Sequence, residues 1–379
     1  MKVSSFEFNT GKLTLNVEKQ ETFKLERLIE IGERENPKRP YVFINKLMGR
    51  YNPSTPKQIN EIHKALAEKM DLKECKNILT IGLAEAAVSL GAGIHREIRE
   101  NGNNSLYLAT TRYPDPKNKL CSFEEPHSHA KSHYIHYPDS EEHKEHLKKA
   151  DTLIIIDDEI TTGNTVCNLI DSLLKENVIK PKKLFILTPV NWSFNLDSSV
   201  KNILIRNNFH DLNLTILDLV KGTYDWKANL KKGGICNGYR SNSMPLPEEI
   251  PIPVKACRKG IKDSLLITAK NIDKENKILI IGSGEYTWEP FLVAEHLENN
   301  GFMIDYVTTV RSPIFNTGPI TRKIQFKDNY QQGINMFLYN INPINYDKIF
   351  IYSETPADFW DGVLIEKLGY EKTQVIHHG

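Results

Sequence analysis

The stretch Leu153 to Thr165, LIIIDDEITTGNT, decides how this 379-residue chain is read. It continues an apolar run, TLIIID at 152–157, that has no polar alternation. Such runs are central strands of parallel sheets covered on both faces. Asp157 and Asp158 stand at the carboxyl end of the strand, where open α/β sheets place their ligands. A carboxylate pair there suits the two hydroxyls of a ribose, or a magnesium ion between ribose and pyrophosphate. Thr161, Thr162, Gly163, Asn164 and Thr165 then turn tightly into a helix, with Val166, Leu169, Ile170, Leu173 and Leu174 on its apolar face. Backbone N–H groups at such a turn make an anion nest, and the helix N-terminus favours negative charge. The threonine hydroxyls add donors, and Gly163 lets the backbone approach a phosphate closely. A simple helix cap needs only part of this run, whereas the whole ordered stretch points to a phosphate loop.

Working outward, NILTI at 77–81 is a short strand that Gly82 breaks before a helix. Gly82, Leu83, Ala84 and Glu85 form the turn. SLYLATTR at 105–112 is the next strand and ends on Arg112, either a pyrophosphate contact or an ordinary surface arginine. PSTPKQINEIHKALAEKM at 53–70 opens a helix, with Thr55 as N-cap and Pro56 in the first position. SEEHKEHLKKA at 140–150 is a charged helix, and KLFILTPV (183–190) and LTILDLV (214–220) are further strands. Alternating strand and helix mean an α/β domain, a parallel sheet flanked by helices. The N-terminus alternates as a strand or hairpin rather than a signal peptide, residues 24–50 read as basic and irregular, and 113–140 read as a long loop without periodicity.

Residues 231–260 are rich in Gly, Pro and Ser and read as a linker. They separate a first domain, 1–230, from a second, smaller α/β unit of Rossmann-like character, 261–379. In that unit Gly282, Ser283, Gly284 and Glu285 lie between a strand and a helix, and Arg311 and Ser312 follow the next strand. The glycines do not complete a dinucleotide fingerprint. The pattern is either a second small-molecule site with Arg311 as an anion ligand or a structural turn. Trp288 and Phe291 belong to the core.

A net charge of +1 gives no global pull toward nucleic acid, so no nucleic-acid partner is expected. The apolar runs fall far below the roughly 20 residues of a membrane span, so no membrane partner is expected either. Five scattered cysteines without a C-x-x-C argue against a disulfide framework or a cysteine zinc site, and for a cytoplasmic setting.

The 153–165 run resembles the loop of type I phosphoribosyltransferases that binds 5-phosphoribosyl 1-pyrophosphate (PRPP). By that resemblance Asp157 and Asp158 hold the ribose 2- and 3-hydroxyls, residues 161–165 hold the 5-phosphate, and Gly82 to Glu85 form the pyrophosphate loop. Further stretches are similar to a narrower group: KRPYVFINKLMGRYNPSTP (38–56), IGLAEAAVSLG (81–91), FEEPHSHA (123–130), IIGSGEYTWEPFLVAEHLENNG (280–301) and VTTVRSPI (307–314). These resemble the fused phosphoribosyltransferase–TRSP proteins of bacterial tellurite-resistance and stress gene clusters. Here Val310 precedes Arg311-Ser312-Pro313, where the domain's name implies threonine. The resemblance implies an orotate-phosphoribosyltransferase-like, Mg2+-dependent enzyme that acts on PRPP, pyrophosphate and a base or base-like acceptor to make, or pyrophosphorolyse, a nucleotide-like metabolite. A homodimer follows by analogy alone, since related enzymes share loops across a dimer.

Six of the twelve histidines fall in 127–146. Related transferases close a mobile loop between their pyrophosphate and PRPP loops, and Glu124, Glu125, His127 and His129 fit such a hood, with the N-terminal segment as a further part of it. Closure would exclude water that hydrolyses PRPP. A metal site using His127-x-His129 and a solvated polar loop are the other readings; His143 and His146 are expected to be exposed. Two rival functions remain at this stage: a nucleotide-binding regulatory module without turnover, and a hydrolase of a nucleotide's glycosidic bond.

Overall fold

A computed structural model of the chain describes residues 2–36, 39–125, 132–229, 244 and 272–377. They fall into two compact units: residues 2–28 with 62–229, and residues 29–61 with 272–377. The expected linker, 231–260, lies outside the described residues except for Met244. No helix among the described residues is long and apolar enough to cross a membrane.

The first unit is built on a seven-stranded sheet. Its spatial order is Lys2–Glu7, Gly11–Gln20, Asn213–Ala228, Lys183–Asn191, Thr152–Ile156, Ile78–Gly82, Ser105–Ala109. The last five strands are parallel. Every residue of Thr152–Ile156 and Ile78–Gly82 is buried, as an uninterrupted apolar run requires. The helices Ala87–Glu100, Asn164–Lys175 and Leu196–Arg206 connect the strands. Asn164–Lys175 buries the five residues of the expected apolar face and adds Cys167. The chain winds outward from Ile78–Gly82 in one direction and from Thr152–Ile156 in the other. The carboxyl ends of these two strands therefore bound a topological switch point, the usual ligand crevice of such sheets.

The N-terminal segment is a hairpin, as its alternation suggests, and its second strand, Gly11–Gln20, pairs antiparallel with Asn213–Ala228. Residues 113–140 also differ from the loop expected. They contain the antiparallel pair Lys119–Glu124 and Ser132–His136. The inward positions of this hairpin include His133 and His136, and a histidine in a core position hides the strand alternation.

The second unit carries a four-stranded parallel sheet in the order Met303–Thr308, Lys277–Gly282, Lys348–Ser353, Thr373–His377. Its switch point lies between Gly282 and Ser353. Trp288 and Phe291, on the helix Trp288–Asn299, are buried and stacked 5.2 Å apart. Residues 29–45 form an antiparallel pair, Ile29–Glu33 with Tyr41–Asn45, in place of the irregular segment expected. The chain then runs along Met303–Thr308: Ser54 and Tyr306 exchange backbone hydrogen bonds at 3.0 and 2.9 Å, and the Thr308 amide donates to Gly49 at 2.8 Å. Gly49 is needed there. Its φ is +59°, and a Cβ would come within 2.7 Å of the Tyr306 ring. Beyond it, the helix Pro56–Ala67 starts on the expected cap: the Gln58 amide donates to Thr55 Oγ1 at 3.3 Å, and Gln58 Oε1 accepts from the Thr55 amide at 3.0 Å.

Candidate functional site

At the first switch point two loops leave adjacent strands side by side. Gly82 and Ile156 are register partners, and the Leu83 amide donates to the Ile156 carbonyl at 3.0 Å. The structure thus brings together Gly82–Glu85 and the stretch from Asp157 to Thr165. Gly82 allows the approach of its own helix, since a Cβ there would meet the Ala87 carbonyl oxygen at 2.5 Å.

The second loop is fixed from its far side. The Asp157 amide donates to Leu187, the Ile160 amide to Val190, and the Trp192 amide to Ile160, at 3.0, 3.0 and 2.7 Å. Gly163 adopts φ +78°, and its carbonyl accepts from the Cys167 amide at 2.9 Å to begin the helix. A Cβ on Gly163 would lie 2.5 Å from Leu196 Cδ1. Thr162 and Asn164 are exposed on the turn, with Thr161 and Thr165 half-buried. The turn therefore presents hydroxyls and a helix N-terminus to solvent, as an anion nest should.

Asp157 and Asp158 are half-buried. The Asp158 amide donates to Asp157 Oδ1 at 3.0 Å. Burial pushes the Asp157 carboxyl well above its ordinary range, and the negative charges of Asp158, Glu125 and Glu159 push the same way. A buried carboxyl whose ionisation is opposed by neighbouring acids gains from a cation, or from sugar hydroxyls, placed against it. Among the described residues no three His, Cys, Asp or Glu side chains form a complete metal cage.

Behind the Gly82–Glu85 loop runs a closed polar circuit. The Ala84 amide donates to Thr110 Oγ1 at 2.7 Å, and Thr110 Oγ1 lies 3.1 Å from His133 Nδ1. His133 Nε2 lies 3.0 Å from Glu125 Oε2, the same oxygen that Arg112 Nη2 meets at 2.8 Å. Arg112 closes the circuit on the Ala84 carbonyl at 3.4 Å. Burial of the Glu125 carboxyl is outweighed by Arg112 and His133, which hold it well below the usual carboxylate range. Burial and the Arg112 charge push His133 down to about 4, so its ring is neutral at pH 7. A carboxylate only accepts, so His133 donates from Nε2 and Thr110 donates to Nδ1. Every bond in the circuit then has one donor and one acceptor. The Ala84–Glu85 peptide, inside the loop this circuit braces, is cis.

The candidate residues therefore divide by position. Arg112, 6% exposed, lies within the brace. Glu125 joins it just past the end of the strand Lys119–Glu124, and the Glu124 carbonyl accepts from Asn168 Nδ2 at 2.8 Å, tying the hairpin to the helix Asn164–Lys175. His127 and His129 lie outside the described residues. His143 and His146 are half-buried rather than exposed, and His146 Nε2 lies 2.9 Å from the Ile78 carbonyl oxygen. Sequence reasoning missed Thr110 and His133. Thr110 sits inside the quoted YLATTR, and His133 stacks on Phe123 at 4.7 Å as one inward residue of the unrecognised hairpin.

In the second unit Gly282 to Glu285, Arg311 and Ser312 lie on neighbouring strand-end loops. The Gly284 amide donates to Thr309 Oγ1 at 2.8 Å and the Thr309 amide to Gly282 at 3.0 Å. Two residues beyond the expected set join them. Glu354 accepts from Ser283 Oγ at 3.0 Å, and Arg50 Nη1 donates to Thr308 Oγ1 at 3.2 Å.

Residues 28–223 match the family model described as phosphoribosyl transferase, and residues 254–368 match the model of the TRSP domain that follows such a transferase. A search of curated proteins gives no match. Among solved structures the chain is similar to adenine phosphoribosyl transferase of Trypanosoma brucei, in complex with AMP, pyrophosphate and ribose-5-phosphate. The identity is 12%, over 43% of this chain and 65% of that one, with a TM-score of 0.32. The adenine phosphoribosyltransferases of Rhodothermus marinus (14% identity, 51% of this chain, 95% of that one, TM-score 0.33) and Giardia lamblia (15%, 51%, 94%, 0.33) are similar to it as well.

Proposed function

Because the chain belongs to the phosphoribosyl transferase family, with a TRSP domain after the transferase, we propose that its first unit transfers the phosphoribosyl group of PRPP to a ring nitrogen of a base, with Mg2+ as cofactor. The observation that carries the reading is the switch point, where the Asp157–Thr165 stretch and the Gly82–Glu85 loop emerge together from strands linked by the Leu83–Ile156 hydrogen bond. Asp157 and Asp158 hold the ribose 2- and 3-hydroxyls. Thr161, Thr162, Gly163, Asn164 and Thr165 hold the 5-phosphate through amides and hydroxyls. Gly82 to Glu85 receive the pyrophosphate, and the Arg112–Glu125–His133–Thr110 circuit fixes that loop in advance of binding. Asp157 and Asp158 would hold Mg2+, which when bound would supply positive charge to stabilise pyrophosphate as a leaving group.

In the transfer the bond from ribose C1 to the pyrophosphate oxygen breaks, and pyrophosphate leaves with the electron pair. A bond from C1 to the base nitrogen forms, and the proton of that nitrogen passes to water or to the released pyrophosphate. The reverse reaction uses the same contacts. The hairpin that ends at Glu124 and begins again at Ser132 stands where a hood would spring from, and its attachment to Asn168 couples it to the phosphate-loop helix. By the family resemblance the transferase unit is orotate-phosphoribosyltransferase-like, and its acceptor is a base or base-like ring. A cytoplasmic enzyme, a homodimer and a role in tellurite-stress metabolism complete the reading.

Calorimetric titration of PRPP with Mg2+ into the wild type and into Asp157→Asn/Asp158→Asn tests it. Micromolar binding lost in the variant is the expected result; equal binding to both proteins overturns the assignment. A product assay with orotate and other bases then separates transfer from hydrolysis, which releases ribose 5-phosphate without forming or consuming pyrophosphate.

A further inference from the structure

The second unit buries charge where its own fold places a ligand crevice. Its switch point falls between Gly282 and Ser353, and Ser283 Oγ bridges it by donating to Glu354 Oε2 at 3.0 Å. Tyr330 donates to the other oxygen of the same carboxyl at 2.5 Å. Glu354 is 4% exposed and Glu285 only 1%. Burial pushes the Glu354 carboxyl up to about 8, with the nearby Glu285 charge adding to it against the opposing hydrogen bonds from Tyr330 and Ser283. Two arginines are buried on the adjoining loops, Arg50 at 7% exposed and Arg311 at 8%. Each such group loses hydration worth several kcal/mol, and replacing buried ion networks with apolar residues is often neutral or stabilising. A fold gains little stability by collecting them, whereas a binding site needs them.

Two further observations point to a ligand rather than to a core network. Thr287 is 1% exposed at the N-cap of the helix Trp288–Asn299, yet its Oγ1 has no hydrogen-bond partner and caps no amide of that helix. Gly284, three residues earlier, has open space where a side chain would be: a Cβ there would approach nothing nearer than Met336 Cε at 3.9 Å.

We propose that the second unit holds a binding site of its own for a phosphorylated sugar, at the switch point between Ser283 and Glu354. Arg50, Arg311 and the amides of the Ser283–Glu285 turn take the phosphate. Glu354 and Tyr330 hydrogen-bond the sugar hydroxyls. A ligand of this class carries the same two features, a phosphate and a diol, as the product proposed for the first unit. The site's chemistry is nonetheless independent of whether that transfer occurs.

The test uses the full chain carrying Asp157→Asn/Asp158→Asn, so that sugar-phosphate binding to it reports on the second site alone. Ribose 5-phosphate is titrated into this protein, and hydrogen exchange is followed by mass spectrometry. The expected result is binding with slowed exchange over 282–287, 308–311 and 353–355. Adding Gly284→Asp should weaken that binding at least tenfold. Aspartate tolerates the observed φ of +53°, and its charge would face the phosphate. Adding Arg311→Gln should weaken binding to a similar extent. Absence of binding, exchange unchanged in these segments, or affinity indifferent to Gly284→Asp overturns the proposal. Inorganic phosphate binding as tightly as ribose 5-phosphate overturns the assignment of a sugar.

Discussion

The amide of Asp158 hydrogen-bonds the carboxyl of its own neighbour, Asp157, where the loop to Thr165 leaves its strand. Burial first, and then the charges of Asp158, Glu125 and Glu159, oppose the ionisation of Asp157 despite that amide. Its folded-state proton affinity is raised, so the stability it withholds grows as pH rises above the ordinary value of 3.8. Asparagine keeps the shape without the charge. Asp157→Asn should therefore raise the stability of the ligand-free protein at pH 7 by about 1 kcal/mol, within the range of trade-offs between site and stability. The same change should remove the thermal shift that PRPP and Mg2+ produce in the wild type. Differential scanning fluorimetry reads both effects, and a variant less stable than wild type would argue that Asp157 is structural.

Glu125 is the shared acceptor of Arg112 and His133. Removing it leaves a buried guanidinium and a buried ring N–H facing each other without the carboxylate between them. Because Glu125 is 29% exposed, water can replace part of what is lost, so Glu125→Ala should cost roughly 2 kcal/mol rather than the 3–5 of a fully buried pair. Glu125→Gln keeps the acceptor and should lose less. Urea denaturation of both variants gives the comparison, and equal stability of all three proteins would remove the brace from the account.

The same circuit fixes the pH dependence. His133 sits at about 4 in the folded chain against 6.5 in the open one, and burial drives His63 and His95 down to about 3. Below pH 6.5 the unfolded chain takes up protons that the folded chain refuses. Stability is therefore complete above pH 6.5 and falls as pH drops toward 4. Imidazole carbon shifts measured by NMR from pH 7.5 to 4.5 should leave these three rings neutral over most of the range while exposed histidines titrate. A His133 midpoint near 6.5 would contradict the tautomer and the donor order assigned to the circuit.

Much of this was legible in the sequence because it depends on local pattern. The all-apolar 152–156 strand, the acid pair after it and the Gly163 turn are one contiguous stretch, and their order carries the α/β reading and the strand-turn-helix geometry together. The Thr55 cap likewise needs only its neighbour at 58. What escaped depends on pairing across distance. The 119–136 hairpin hides because histidines occupy inward positions, and Thr110 matters only through its contacts with Ala84 and His133. Arg50 reads as one more basic residue in an irregular segment until Gly49 and Ser54 are seen bonded to the strand Met303–Thr308. Glu354 gains meaning only when parallel pairing brings its loop beside Ser283.

Gly163 offers a test of whether the backbone from Asp157 to Thr165 holds a phosphate. With φ at +78° and Leu196 Cδ1 2.5 Å from any added Cβ, alanine is opposed by both conformation and space. Gly163→Ala should cost about 1–3 kcal/mol and displace the turn from Thr161 to Thr165. PRPP affinity should fall at least tenfold even at temperatures where circular dichroism reports a folded protein. Unaltered affinity in a folded variant would mean that the turn does not hold the 5-phosphate.

Glu354 gives a prediction of opposite sign to the histidines. Its carboxyl titrates near 8 in the folded chain and near 4.5 in the unfolded one. Below pH 4.5 both states are protonated and nothing is lost. As pH rises from 4.5 to 8 the unfolded chain ionises while the folded chain holds its proton, so stability falls across that window and levels off above it. Glu285 and Tyr330 are the ionisable side chains set against the carboxyl, and His377 Nε2 lies 3.1 Å from the Glu354 backbone carbonyl oxygen. Glutamine cannot ionise, so Glu354→Gln should be nearly neutral at pH 4.5 and stabilising by roughly 2–4 kcal/mol at pH 8. Thermal unfolding of the second unit's tryptophans, Trp288 and Trp360, followed by fluorescence at the two pH values, measures the difference. A stabilisation independent of pH would show that Glu354 is ionised in the folded protein, and with it that an opposite charge has been placed against it.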